Sequence, residues 1–203
     1  MQLVKLGGDH TIDVGLLPES PVVLDVGARG FAFVRDILAL RPKALVVAME
    51  PDPDVQDPDI VGCEFIHKAL VHHEDCVRKY AAFSTGEGNF LSDVDIHYAS
   101  MKTVPCVSIY SVMEGLGIAH WDVVKLDCEG SEFDILRSWP GPIATQISVE
   151  FHDYQNRAKY DDAYFGDLFR GRLRDYKVVQ HPLTGVGPGP SYGHWDSLLV
   201  LKS

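Results

Sequence analysis

Carboxylates stand where apolar runs end. Asp25 follows the apolar run of PVVLDVGARG, Glu50 closes KALVVAME, Asp127 closes WDVVKLD, and Glu150, His152 and Asp153 close ISVEFHD. Ligands on open α/β sheets bind beyond the carboxyl ends of the strands, so side chains at these positions are the ones placed to do chemistry. Glu50 follows Asp25 by twenty-five residues, the place from which an acidic side chain accepts hydrogen bonds from both hydroxyls of a ribose. In the loop between them, Gly27, Ala28, Arg29 and Gly30 supply two glycines for a tight turn and close backbone approach to a ligand. The combination points to a nucleoside cofactor and leaves nicotinamide and adenosylmethionine both open, because DVGARGF lacks the third glycine of G-x-G-x-x-G. Asp127 reads as functional. Glu129 and Gly130 read as structural, the glycine for a positive-φ turn and the carboxylate as an acceptor of turn amides.

These residues need a parallel sheet to hold them. Short apolar runs alternate with helix-like segments throughout, the rhythm of strands joined by crossovers. Val22, Val23 and Leu24 form a continuous apolar run, as strands covered on both faces do, and Phe31, Val34, Ile37 and Leu38 recur at helical spacing until Pro42. CEFIHKAL reads as a third strand. Cys76 to Phe83 and KTVPCVSIY read as extended, with a turn at GEGNF and a short helix around SVMEGLG. Ser131 reads as the cap of a helix whose first turn carries Glu132 and Asp134. A strand over 143–151, an amphipathic helix over 161–176 and two last strands, YKVVQH and WDSLLVLK, complete the pattern. No helix separates those two, so they are expected to pair antiparallel.

Composition bounds the answer. The chain has 203 residues, 46% of them hydrophobic, enough for one domain, and no repeat or linker divides it. Residues 1–20 read as an N-terminal extension and 182–194 as a Gly- and Pro-rich loop. That loop carries Tyr192, His194 and Trp195, suited either to a binding lid or to a plain hairpin. A net charge of −11 argues against a nucleic-acid or anionic-membrane partner. Arg170, Arg172, Arg174 and Lys177 are interspersed with Asp167 and Asp175 and read as a solvated helix face. Cys63, Cys76, Cys106 and Cys128 show no C-x-x-C pair and read as reduced. His67, His72 and His73 match no common zinc spacing. Asp9, His10 and Asp13 stand where a secretory signal needs its apolar core, and no apolar run approaches membrane-spanning length, so the expected location is cytoplasmic.

KLDCEGSEFDIL matches the pattern K-x-D-x-E-G-x-E-x-x-x-L through Lys125, Asp127, Glu129, Gly130, Glu132 and Leu136. With Asp25, Gly27 and Glu50 ahead of it and ISVEFHD behind it, the sequence resembles the FkbM-type family of S-adenosylmethionine-dependent methyltransferases over residues 22–202. The resemblance implies one Rossmann-like class I methyltransferase domain, with a mostly parallel twisted sheet of about seven strands and a C-terminal antiparallel strand. It implies S-adenosylmethionine bound by Asp25, Gly27, Ala28, Gly30, Glu50, Ala69 and Asp127, and a small hydroxylated acceptor, a saccharide or secondary metabolite. The sheet order it implies sets Glu150, His152 and Asp153 beside Asp127. Two departures stand out: Arg29 and Phe31 replace the family's usual Asn and last Gly, and His72 replaces an acidic residue after Ala69 and Leu70, leaving adenine to backbone groups there.

Methyl transfer from a sulfonium is an in-line displacement that asks for alignment and exclusion of water. An alcohol acceptor must also lose its proton. His152 suits the general base by residue type, with Asp127 beside it; alternatively Asp127, Glu150 and Asp153 hold a hard cation such as Mg²⁺ that lowers the pKa of the hydroxyl. A nucleoside-binding module without catalysis and an NAD-dependent oxidoreductase are the other readings of the same features.

Overall fold

The computed structural model describes residues 1–72, 76–82, 90–92, 100–139, 141–152, 167–180 and 194–202. In chain order the first strands are β1 (Leu3–Leu6), β2 (His10–Asp13), β3 (Val22–Val26), β4 (Leu45–Met49), β5 (Cys63–Ile66) and β6 (Ala69–Val71). They are followed by β7 (Cys76–Ala82), β8 (Phe90–Ser92), β9 (Ser100–Ser108), β10 (Trp121–Leu126), β11 (Ala144–His152), β12 (Tyr176–Gln180) and β13 (His194–Leu201). The helices are α1 (Ala32–Leu40), α2 (Ile109–Leu116) and α3 (Glu132–Ser138).

A seven-stranded sheet, ordered β12-β13-β11-β10-β3-β4-β5, carries the fold. Its strands pair in parallel from β11 to β5, and β13 runs antiparallel to both β11 and β12. Its central strands read as unbroken apolar runs because both faces are covered. Leu24, Val47, Val124 and Ile147 enter the core formed with Phe133, Leu136 and Trp139, whereas Val23, Val46 and Val123 enter the core formed with Phe33, Val34 and Ile37 of α1.

Several expectations need correction. CEFIHKAL is two strands: Lys68 N donates to Ile66 O at 2.9 Å, the His67 ring bonds the Asp52 carbonyl at 2.6 Å, and the chain leaves the main sheet there. β6 then joins a separate four-stranded sheet ordered β6-β9-β7-β8. The helix expected from Phe31 begins at Ala32, after Phe31 itself has taken a left-handed φ of 56°. In the helix expected over 161–176, the described part is helical at 167–170, turns through 171–175 and gives way to β12 at Tyr176. Gly171 N closes that turn on Asp167 O at 2.8 Å. Arg170 pairs with Asp167 on the exposed surface, as a solvated face would. Residues 181–193, most of the Gly- and Pro-rich loop, lie outside the described residues, as do His73 and Asp153.

The stretch expected as an N-terminal extension is a hairpin. β1 and β2 pair antiparallel, and all four residues of β2 are buried against the main sheet. Gln146 of β11 holds Asp13 in both directions: Asp13 N donates to Gln146 Oε1 at 2.8 Å, and Gln146 Nε2 donates to Asp13 O at 3.2 Å.

The far edge is tied by one phenol. Tyr176 Oη donates to Ala144 O at 2.8 Å and accepts from Ala144 N at 3.3 Å. Tyr176→Phe leaves both groups of Ala144 without these bonds, so a loss of about 1–3 kcal/mol is expected in urea unfolding. A shift under a few tenths of a kcal/mol would show that water replaces the phenol.

The four cysteines are free, and burial pushes the Cys63 thiol up to about 11 and the Cys106 thiol up to about 12, where neither is reactive at neutral pH. Among the described residues no helix is long and apolar enough to cross a membrane.

Candidate active site

Register builds the site. Asp25, Lys125 and Ser148 are aligned across β3, β10 and β11. Alternation along the strands returns side chains to one face every second residue, so Gly27, Asp127 and Glu150 follow in the next row. Glu150 in turn faces Asp196 across the β11–β13 pair.

Lys125 ties the first row to the second. It is 4% exposed; its Nζ lies 3.1 Å from Asp25 Oδ1 and 3.3 Å from Asp127 Oδ2, and it donates to the carbonyl of Gly27 at 2.8 Å and of Val26 at 3.3 Å. Burial alone would lower its pKa, but Asp25 and then Asp127 outweigh burial and hold the ammonium above its ordinary range. For Asp127 the balance falls the other way: burial would raise its pKa, but Lys125, His10 and His152 hold its carboxyl below the usual carboxylate range. Lys125 appeared in the sequence as one letter of a motif. Its role as a buried counter-ion to two strand ends needed the register.

Gly27 serves the fold before any ligand. Its amide donates to Met49 O at 2.9 Å, its φ is +80°, and a Cβ on it would lie 1.7 Å from the carbonyl oxygen of Asp127. The close approach expected toward a ligand is an approach to the end of β10.

After Asp127 the chain makes a turn in which Glu129 and Gly130 both have positive φ, 53° and 106°. Gly130 is the turn glycine expected. The acceptor of the turn amides is Glu132: Cys128 N donates to its Oε1 at 2.8 Å and Gly130 N to its Oε2 at 3.1 Å. Ser131, expected as the cap, makes no side-chain capping bond. Glu129 instead turns inward, its Oε2 3.5 Å from His152 Nε2.

Two imidazoles meet this carboxylate row from opposite sides. His10 arrives on β2, with Nδ1 3.3 Å from Ser148 Oγ and Nε2 3.5 Å from Asp127 Oδ2. His152 ends β11, with Nδ1 3.2 Å from Glu132 Oε1 and Nε2 3.5–3.9 Å from Glu129, Glu150 and Asp127. Burial lowers the His152 pKa, but Glu132, Glu129 and Asp127 together raise it to about 9. The base expected from residue type therefore stands among carboxylates that favour its charged form. Sequence reading missed His10 because nothing local marks HTID as a strand facing residues more than 130 positions away.

Above the rows lies a cleft. Asp25, Gly27, Ala28, Glu50, Ala69 and Asp127 all line it, with Leu70, Tyr80 and Phe90 giving an apolar wall. Gly30 does not; its φ of 75° serves the turn into α1. Glu50 is 4% exposed, its Oε1 accepts the amide of Asp52 at 2.9 Å, and burial raises its pKa. His152 lies beyond Asp127, outside this lining. Asp153 falls outside the described residues, so of the three expected cation ligands only Asp127 and Glu150 are seen together.

The sequence model of the methyltransferase FkbM domain matches residues 25–199. The chain belongs to the FkbM methyltransferase family. A crystal structure of methyltransferase FkbM from Methylobacillus flagellatus KT shares 15% identity and a TM-score of 0.50, over 93% of this chain and 46% of that one. This chain therefore spans about half the length of that structure. The Methanococcus jannaschii fibrillarin pre-rRNA processing protein is similar at 12% identity and a TM-score of 0.50, over 98% and 81% of the two chains. At these identities the likeness is one of fold. No curated protein matches the sequence.

In this member of the FkbM methyltransferase family the two replacements in the first loop have physical consequences. Arg29, in place of Asn, donates to Asp52 Oδ2 at 3.0 Å, and Lys102 of β9 lies 3.2 Å from the other oxygen of Asp52. The pair joins the second sheet to the loop after β4. Phe31, in place of Gly, adopts the left-handed backbone a glycine would have supplied, and its ring is buried edge-on against Phe65 with centroids 5.5 Å apart. A left-handed non-glycine residue costs about 1–2 kcal/mol, and burying a phenyl ring offsets this by roughly 1.5–3 kcal/mol.

Proposed function

We propose that the chain transfers a methyl group from S-adenosylmethionine to a hydroxyl of a small acceptor, a saccharide or a secondary metabolite. The observation that carries the reading is the buried carboxylate of Glu50 in the lining of a cleft that Asp127 also lines. The donor set fits the cofactor: Glu50 suits the two ribose hydroxyls, the backbone at Ala69 and Leu70 suits adenine, and Gly27 and Ala28 keep the loop thin over the remainder. Bound there, the cofactor supplies an electrophilic methyl group on a sulfonium. The protein's part is to align the acceptor, exclude water and take up the acceptor proton.

Asp127, ionised by Lys125, orients the acceptor hydroxyl at the open end of the row. Either His152 in its neutral form takes up the acceptor proton, or a hard cation such as Mg²⁺, which Asp127 and Glu150 would hold, would lower the pKa of the hydroxyl so that its proton passes to water. A net charge of −11 supports a small acceptor rather than nucleic acid or an anionic membrane, and the same reading is of a cytoplasmic protein.

Calorimetry with adenosylmethionine and adenosylhomocysteine tests the reading. Binding of both is expected, and Glu50→Ala should weaken it by about 1.5–3 kcal/mol, roughly 10- to 150-fold, with the fold retained. Unchanged affinity in folded Glu50→Ala removes Glu50 from the site. No binding of either compound at millimolar concentration sinks the reading, and tight NAD binding in their place would make the chain an oxidoreductase. Binding without turnover on any hydroxylated acceptor would make it a binding module.

A further inference from the structure

We propose that Cys76 and Cys106 form a redox modification site, closing to a disulfide that staples the wall of the cleft when small disulfides accumulate. The two residues stand directly opposite each other in the β7–β9 ladder. Opposed residues of an antiparallel pair share a face and have Cα atoms about 4.5–5.5 Å apart, and a disulfide spans about 4.4–6.8 Å between Cα atoms. The strands need not move to be joined. Both thiols are free, and Cys76 packs against the small core that Cys106 forms with Ala69, Val71, Tyr80 and Val104. Burial, and then a hydrogen bond with the Cys76 thiol, raise the pKa of the Cys106 thiol. Cys63 and Cys128 pack against the two other cores, so neither competes for this pairing.

The chemistry is thiol–disulfide exchange with a small disulfide such as oxidised glutathione. Half-buried Cys76, as its thiolate, attacks one sulfur; the glutathione S–S bond breaks, and the departing thiolate takes up the proton that Cys76 lost. Cys106 then attacks the Cys76 sulfur of the mixed disulfide, expels the second glutathione as a thiolate and passes its own proton to it. Two electrons have moved from the cysteines to glutathione, and one S–S bond has replaced another. Cys106 is inert toward outside reagents at neutral pH, but it meets the mixed disulfide within one molecule, where proximity compensates for a weakly acidic thiol.

Placement gives the bond its effect. Cys106 is in register with Cys76 on one side and with Ala69 of β6 on the other, and this sheet supplies Ala69, Leu70, Tyr80 and Phe90 to the cleft. The bond closes a loop of thirty residues that includes β8. Cross-linking such a loop removes freedom from the unfolded chain, so the wall is held more firmly without being reshaped. In a reducing compartment the pair rests as two thiols.

The test equilibrates the full chain in glutathione buffers of rising oxidised fraction, quenches with acid, alkylates and maps the peptides. Loss of two of the four thiols, a mass lower by two hydrogens and one cross-linked peptide joining Cys76 to Cys106 are expected, all reversed by dithiothreitol. Oxidation should raise the melting temperature by about 4–16 °C. Cys76→Ser and Cys106→Ala should each abolish both the bond and the rise, whereas Cys63→Ser should leave both intact; melts under reducing conditions establish that each variant is folded. Four free thiols at the most oxidising ratio, glutathione retained on Cys76 without closure, a bond to Cys63 or Cys128, or an unchanged melting temperature overturns the site.

Discussion

Lys125→Met should lower the unfolding free energy by about 3–5 kcal/mol, the cost of leaving a buried charge without its partner. Asp25 is 1% exposed, and among the described residues its oxygens make no hydrogen bond, so the Lys125 ammonium at 3.1 Å is what offsets its burial. Methionine keeps the length of the stem and removes the charge. Asp25 is then a buried charge without its counter-ion. Because the Asp127 carboxylate loses the same partner, its pKa should rise toward the ordinary range, since Lys125 is the largest of the influences that lower it. Urea unfolding at neutral pH reads the loss. A second variant separates charge from packing: Lys125→Met with Asp25→Leu should regain most of the stability, because removing both members of a buried pair costs far less than removing one. A single-variant loss under about 1 kcal/mol would mean that water already solvates Asp25.

Gly27→Ala is expected to be comparably severe, for a different reason. Alanine at a φ of +80° costs about 1–2 kcal/mol. Its Cβ would also stand 1.7 Å from the Asp127 carbonyl oxygen, so β3 and β10 must separate at the ends that carry the chemistry. Overpacking adds about 1–3 kcal/mol, for a total of about 2–5 kcal/mol, and adenosylhomocysteine binding should be lost with it. Gly30→Ala is the control. Its φ is also positive, at +75°, but among the described residues nothing lies within 4 Å of the added carbon, so only the backbone cost of about 1–2 kcal/mol is expected. Equal losses in the two variants would show that φ, not the close approach to β10, decides the effect.

What could be read from the sequence follows how local its physical cause is. β3 and β10 were legible because both faces of each are covered, and the resulting apolar runs end abruptly in Asp25 and Asp127. The start of α3 was legible, but its capping residue was not: Ser131 has the right residue type, yet the buried Glu132 reaches back to Cys128 and Gly130. Residue type alone does not show which oxygen points inward. The break of CEFIHKAL at His67 depends on the Asp52 carbonyl, fifteen positions away, and no periodicity in the segment marks it. Phe31 looked like a defect in a glycine loop, and Phe65, which shelters it, comes two strands later. His10 was the least legible residue of all, because its partners Ser148 and Asp127 belong to the other end of the chain.

That separation has a consequence for biosynthesis. His10 and Ser148 are 138 positions apart, and Asp13 and Gln146 are 133 apart, so the hairpin, synthesised long before β11, has no sheet to dock on until β11 has emerged. Contacts of such high order form late in folding, after the loop-closure entropy has been met. A nascent chain halted before Ala144 carries Asp25, Glu50 and Asp127 without the strand that brings Ser148, Glu150 and His152. The β2 residues that will be buried remain solvated meanwhile, and the polar character of HTID keeps that waiting edge from pairing with other chains.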